Sequence, residues 1–266
     1  MKKEKRQRYP KRTEYYSSFE GEFVREVVGE RKIDKDYKYL HKNFLWHILA
    51  FSVYRLIATP AAFIYTKLFL RQKYIGKRKL RGVRSFVLYS NHNEPVGDAF
   101  TPSMIAFPRR TYVVVSPANV LIPVIGRVNP MLGALPTPSD IRAARNFSAS
   151  TEELLKERSC ITVYPEAHVW PKCAFLRPTS HAAFDIAVRT GSPVFVSTRV
   201  YKKMRLFGWR ACVYVDGPFY PDTALRRSEA AEKLSEQVRS AMERRLCESD
   251  NLEIIRYERK EINEDE

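Results

Sequence analysis

One α/β domain, with a mixed central sheet flanked by helices and an N-terminal membrane-associated helical segment, is the architecture that this 266-residue chain predicts. Three observations carry it. Short apolar runs of strand length recur at Phe86 to Tyr89, Thr111 to Val115, Cys160 to Tyr164, Ser192 to Tyr201 and Ala211 to Val215, separated by stretches of helical character with no internal repeat. Phe44 to Leu70 is the most apolar part of the chain. Two of the strands end on ionisable residues, His92 beyond the first and Glu166 and His168 beyond the third, and the carboxyl ends of strands are where open α/β sheets collect ligands.

Residues 1–43 read as a basic N-terminal segment. Met1 to Arg12 carries seven basic residues against one acidic, too polar to fold alone, and no apolar run with a cleavage site follows closely enough for a secretory signal. Glu14 to Leu40 mixes aromatics with charges and gives no assignment. Phe44 to Leu70 exceeds the roughly 20 residues that cross a bilayer, but Arg55, Lys67 and the expected break at Pro60 count against a simple span. Two helices lying in the membrane interface, Phe44 to Thr59 and Ala61 to Leu70, fit better. His47, Ser52, Arg55 and Thr59 fall within roughly 140° of a helical wheel and leave a wide apolar face. Trp46, Tyr54 and Tyr65 suit the headgroup level, and the basic tail and the Arg71 to Arg84 cluster supply electrostatic anchors. A buried core helix with snorkelling Arg55 and Lys67 is the alternative.

Residues 71–250 form the α/β domain proper. Lys73 to Gly76 suggests a short strand, Ala99 to Phe107 a short helix, and Leu121 to Pro138, broken by proline and glycine, an irregular stretch packed on the core or facing lipid. A helix at Ile141 to Phe147 is followed by a second from Ser150, where Glu153 completes a capping box. Leu225, Leu234, Val238, Met242 and Leu246 recur at helical spacing in the last helix. Residues 251–266 read as a charged tail that frays from Glu258.

A net charge of +16 points to an anionic partner. Cys160, Cys173, Cys212 and Cys247 have no CxxC spacing and no paired histidines, so neither a metal site nor a disulfide framework is indicated, and a reduced, cytoplasm-facing protein is the default. In Ser85 to Asp98, SFVLYSNHNEPVGD, a buried strand delivers His92 to its end, and Pro95 and Gly97 break regular structure so that Asp98 can fold back toward the imidazole. A helix would not do this, because six residues turn it by roughly 240°. A carboxylate beside a histidine fixes its tautomer and stabilises the imidazolium, as a general base requires; a solvated histidine and aspartate at a strand-end turn is the other reading of the same residues.

With these positions in place, the stretch from Phe44 to Pro218 resembles the phospholipid and glycerolipid acyltransferases typified by 1-acylglycerol-3-phosphate acyltransferase. The resemblance rests on four segments in order: His92 to Asp98, Gly133 to Ser139, Tyr164-Pro165-Glu166-Ala167-His168, and Gly191 to Val196. Three departures stand out. Five residues separate His92 from Asp98 where the family has four, which leaves Glu94 open as an alternative orienter; Ser139 stands in place of the family's phosphate-binding arginine; and Ala167-His168 replaces Gly-Thr.

The resemblance implies transfer of a fatty acyl group from an acyl-CoA or acyl carrier protein thioester to the hydroxyl of a lysophospholipid or glycerol-phosphate acceptor, with His92 as base, Asp98 as its orienter and Glu166 on the acceptor side. Guanidinium matches phosphate bidentately, so Arg127, Arg142, Arg145 and Arg177 are candidate phosphate ligands, each with an ordinary surface role as the alternative. His168 is either a donor in the site or a structural imidazole. No cofactor beyond the thioester co-substrate is implied. The partners are membrane lipids at the cytoplasmic face and the thioester carrier; Tyr201 to Arg210 interleaves aromatics with bases but matches no nucleic-acid motif. A hydrolase using the same pair and a non-catalytic basic membrane-binding protein are the alternatives.

Overall fold

The computed structural model describes residues 10, 12–21, 23, 32–120, 125–205 and 208–260. Asn43 opens the apolar helix: its side-chain oxygen accepts the N–H groups of Leu45 at 2.9 Å and Trp46 at 3.3 Å. The helix then runs to Phe69 over 26 residues, which corrects the expectation of two helices divided at Pro60. It comprises α1 (Phe44–Ser52), a π-helical turn (Val53–Ala58), α2 (Thr59–Ile64) and a second π turn (Tyr65–Phe69). The wider turn absorbs the proline. Thr59 N–H bonds five residues back to the Tyr54 carbonyl, and its hydroxyl reaches the same oxygen at 2.8 Å, so the missing Pro60 N–H falls where the ladder has already changed register.

Phe44, Leu45, Phe51, Leu56, Leu68 and Phe69 are exposed along this helix, whereas Ala50, Tyr54, Ala62 and Thr66 face the domain. Tyr54 is therefore not an interfacial aromatic: its hydroxyl accepts the Thr111 N–H at 3.1 Å inside the protein. Arg55 donates to the Pro108 carbonyl and Lys67 to that of Gln72, so both charged side chains fold back onto the chain.

Seven strands build the main sheet: β2 (Lys73–Ile75), β3 (Phe86–Ser90), β4 (Arg110–Val115), β5 (Ala134–Pro136), β6 (Ser159–Val163), β7 (Val194–Met204) and β8 (Gly208–Phe219), in the order β2-β8-β7-β3-β6-β4-β5. Its pairs are parallel except the β7–β8 hairpin, so the sheet is mixed. The helices are α3 (Gly97–Ala106), α4 (Ile125–Leu132), α5 (Ile141–Lys156), α6 (Asp185–Thr190) and α7 (Arg227–Cys247). Alternate residues of β3 serve opposite faces. Val87 and Tyr89 pack with Leu154 of α5 and Leu234, Val238 and Met242 of α7, while Phe86 and Leu88 pack with Ile105 of α3 and Val213 and Val215 of β8. Burial on both faces is why this strand is apolar throughout instead of alternating.

Several local expectations change. Leu121 to Pro138 is not irregular throughout: it contains α4 and β5, joined at Gly133. There φ is +92°, and a Cβ would lie 2.4 Å from the Thr111 carbonyl, so only glycine lets β5 close onto β4. The two helices expected from Ile141 are one, α5, capped by Asp140 accepting from Arg142 and Ala143 N–H at 2.8 Å; Ser150 lies inside it, buried, and forms no capping box. Leu225 precedes α7. The C-terminal segment does not fray at Glu258, since β9 (Ile255–Arg259) pairs in parallel with β1 (Arg12–Tyr16). Residues 1–9, most of the basic N-terminal stretch, and residues 261–266, the end of the charged tail, lie outside the described residues. Part of the N-terminal segment belongs to the core: Ile33 is fully buried, and Tyr39 donates to the Pro136 carbonyl at 2.9 Å.

Asp216 of β8 ties the sheet to two neighbours, receiving Lys79 at 2.8 Å and Arg245 at 2.6 and 2.7 Å. Burial pushes this carboxyl up, but the hydrogen bonds from Arg245 and Lys79 outweigh it and hold it down at about 2. Its stabilisation is fully present above about pH 4, the unfolded value, and is lost as pH falls through about 2, where the folded chain also takes the proton. Denaturant titrations should therefore show up to about 2 kcal/mol lost across that window, and Asp216→Asn should flatten the dependence.

Candidate active site

β7 outruns β3, and the overhang shapes the site. The Ser90 and Ser197 hydroxyls meet at 2.7 Å where β3 ends. Beyond them the Asn91 side chain takes the place of a strand residue, accepting the Arg199 N–H at 2.7 Å and donating to the Arg199 carbonyl at 2.9 Å. The chain then turns, Asp98 N–H bonding the Glu94 carbonyl at 2.9 Å. A Cβ at residue 97 would lie 2.5 Å from Glu94 Cγ and 2.6 Å from Leu70 Cδ1, so a side chain here would force Glu94 and Leu70 to shift where the turn packs against the end of the apolar helix.

The turn brings His92 Nδ1 to 2.7 Å from Asp98 Oδ2, which also accepts the Glu94 N–H at 3.0 Å. The His92 side chain is 15% exposed and that of Asp98 3%. Tyr164 stacks on the imidazole with ring centroids 4.2 Å apart and donates its hydroxyl to the Asp98 carbonyl at 2.6 Å. Glu94 does not take the orienting position: its carboxylate is in contact with the Lys172 ammonium, with the Tyr201 hydroxyl at 3.4 Å. The extra residue between His92 and Asp98 is thus accommodated in the turn without changing the pair.

Glu166, just beyond β6, holds the loop from below. One carboxylate oxygen accepts the His92 N–H at 3.0 Å; the other meets Arg177 Nε at 2.9 Å and the Arg177 N–H at 3.3 Å. Burial pushes this carboxyl above the usual carboxylate range, and Arg177 acts against the push. Arg177 is itself 1% exposed and donates to the His92 carbonyl at 3.3 Å and to that of His168. Arg177, a candidate phosphate ligand from the sequence, is placed as an internal brace between Glu166 and the His92 and His168 carbonyls. His168 is half-buried and enters this brace through its carbonyl.

The other candidate cations are placed elsewhere. Arg142 and Arg145 are exposed on α5, Arg142 in its first turn, and Arg127 falls on α4, its side chain outside the described residues. Ser139 has a structural task, its hydroxyl accepting the Ile33 N–H at 2.9 Å and its own N–H reaching the Ile33 carbonyl at 3.1 Å. Burial pushes the Cys160 and Cys173 thiols up to about 12, which leaves no thiolate at neutral pH. Among the described residues no group of three or more His, Cys, Asp or Glu side chains is placed to hold a metal ion. Tyr201 is fully buried, so it offers no open platform for stacked bases.

Arg199 escapes the sequence reading. On β7 it is 3% exposed, pairs with Asp98 Oδ1, and donates to Thr101 Oγ1 at 2.6 Å and Asn93 Oδ1 at 3.3 Å. The available signal is a lone arginine in VFVSTRVY, an otherwise uncharged strand segment.

The Glu166–Arg177 brace is testable by stability alone. Arg177→Met leaves a buried carboxylate unpaired and should cost about 3–5 kcal/mol in urea unfolding, with Glu166→Leu costing a similar amount. Combining the two should cost clearly less than their sum; strict additivity would mean that the pair is not coupled.

No family model matches the chain, and none of the curated proteins compared with it matches. Among solved structures it is similar to that of PlsC, the 1-acyl-sn-glycerophosphate (LPA) acyltransferase of Thermotoga maritima, with a TM-score of 0.52 and 19% identity over 77% of this chain and 84% of the other. The fold implied by the resemblance of the four sequence segments is the fold that the chain adopts.

Proposed function

We propose that this chain is a glycerolipid acyltransferase working at a membrane surface, moving a fatty acyl group from an acyl-CoA or acyl carrier protein thioester to the hydroxyl of a lysophospholipid or glycerol-phosphate acceptor. The observation that carries this reading is the His92 Nδ1 to Asp98 Oδ2 contact of 2.7 Å at the carboxyl end of a buried strand, with the imidazole partly open to solvent. The fold shared with PlsC supports it.

An alcohol attacks a thioester only if its proton leaves as the C–O bond forms. With Nδ1 engaged by Asp98, His92 Nε2 takes that proton. The tetrahedral intermediate then expels the thiolate, which recovers the proton from the imidazolium, so the cycle closes with an ester, a thiol and a neutral histidine. No enzyme-bound acyl group is required. Ser139, where the resemblance expects a phosphate-binding arginine, is occupied in holding Ile33, so a phosphate-bearing acceptor in this proposal needs another cation, for which exposed Arg142 in the first turn of α5 is the candidate.

The surface supports membrane binding. The helix from Phe44 to Phe69 keeps most of its apolar side chains in solvent and is long and apolar enough to interact with a bilayer. It lies in the interface of the cytoplasmic leaflet in this proposal, with the excess positive charge favouring anionic lipid.

The test is to incubate the purified full chain on anionic vesicles with acyl-CoA or acyl carrier protein thioesters and a panel of lyso-acceptors, with products identified by mass spectrometry. Acylated lipid is expected, and His92→Ala should lower its formation by about 10² to 10⁴. Free fatty acid as the sole product would replace the reading with a hydrolase, and near-normal transfer by folded His92→Ala would remove the mechanism.

A further inference from the structure

Asp98 has two oxygens and two different tasks. Oδ2 faces the imidazole, while Oδ1 is held by the Arg199 guanidinium. Arg199 in turn is fixed by Thr101 of α3, Asn93 of the loop and the Asn91 side chain on its backbone. Both members of the ion pair are 3% exposed, so water screens little of their charge.

We propose that Arg199 is a positioning residue for the base: it locks Asp98 in place and, by cancelling the carboxylate's charge, keeps the His92 imidazole unprotonated and ready to accept a hydroxyl proton. This rests on His92 being the base. An unpaired carboxylate at hydrogen-bond distance favours the imidazolium, and an imidazolium has no lone pair with which to take a proton. A carboxylate already matched by a guanidinium keeps its hydrogen-bonding geometry while exerting much less pull.

The remaining charges around His92 do not replace this effect. Glu166, whose oxygen accepts the His92 N–H, is paired with Arg177 from the segment after β6. Glu94, on the loop itself, is paired with Lys172. Burial and the nearby Arg199 push the Lys172 ammonium down to about 7, so this cation is the one that loses its charge first as pH rises. The phenols of Tyr164 and Tyr201 are pushed above their usual range by burial and are neutral. Of the carboxylates around the loop, Asp98 and Glu166 are each met by a guanidinium, and Asp98 is the one that touches the imidazole ring.

The experiment follows the pH midpoint of His92 protonation by NMR on the full chain in micelles, with ¹³Cε1-labelled histidine assigned by His92→Gln. Arg199→Gln should raise the midpoint by about one pH unit or more, and Asp98→Asn, which leaves the guanidinium unmatched, should lower it. Combining the two should return it close to the wild-type value. The acidic limb of the transfer rate should move in the same directions. Arg199→Lys keeps the charge without the planar fork, so it is expected to fold, to leave the midpoint in place and to lower kcat about tenfold with KM unchanged. An unmoved midpoint in either folded single variant would overturn the electrostatic part, and wild-type kcat in Arg199→Lys would overturn the positioning part. Because the titration is read without turnover, a wild-type chain that transfers no acyl group would count against the acyltransferase reading and leave the titration result standing.

Discussion

A carboxylate taken out of water must meet a cation, and three of them, Glu94, Asp98 and Glu166, lie buried around the loop that carries His92. Their partners are Lys172 and Arg177, from the segment after β6, and Arg199, from β7. None of these contacts is local, apart from the turn that joins His92 to Asp98. The loop's backbone groups are taken up by the N–H groups of Trp170 and Lys172, which bond the His92 and Asn93 carbonyls, and by the side chains of Glu166, Asp98, Arg177 and Tyr201. Breaking any one ion pair strands a buried charge, which makes the conformation of the loop depend on long-range pairing more than on its own sequence.

The same interactions connect the loop to the apolar helix. Gly97 packs against Leu70, and Gln72, two residues further on, donates to Thr101 Oγ1 at 3.0 Å. Thr101 receives Arg199, Arg199 holds Asp98, and Asp98 holds His92. A continuous set of hydrogen bonds therefore runs from the end of the helix to the imidazole. Val96, in the turn between them, is exposed. If the helix lies on a bilayer as proposed, its orientation sets that of the imidazole relative to the lipid.

How much of this was legible depended on range. His92 and Asp98 were legible because a strand, a proline-glycine turn and two ionisable residues fall within fourteen positions of one another, from Ser85 to Asp98. The central strands were legible because burial on both faces leaves an uninterrupted apolar run. Arg199 was not, because its partner lies 101 residues earlier and a strand arginine is ordinarily a surface residue. The burial of Arg177 is hidden for the same reason: nothing local reveals that its guanidinium pairs with Glu166. The pairing of β1 with β9 joins opposite ends of the chain through segments rich in charge and poor in alternation. Pro60 misled in a different way, since proline ends an α-helix but can be carried by one that has widened to a π turn just before it.

The central claim is that Asp98 fixes the imidazole so that Nε2, not Nδ1, carries the free lone pair. Long-range ¹H–¹⁵N correlation on ¹⁵N-histidine-labelled protein, at a pH where His92 is neutral, reads the tautomer directly. The structure predicts that the proton is on Nδ1, shared with Asp98, and that Nε2 has the shift of an unprotonated ring nitrogen. A proton found on Nε2 in the folded protein would contradict the assignment of His92 as the base.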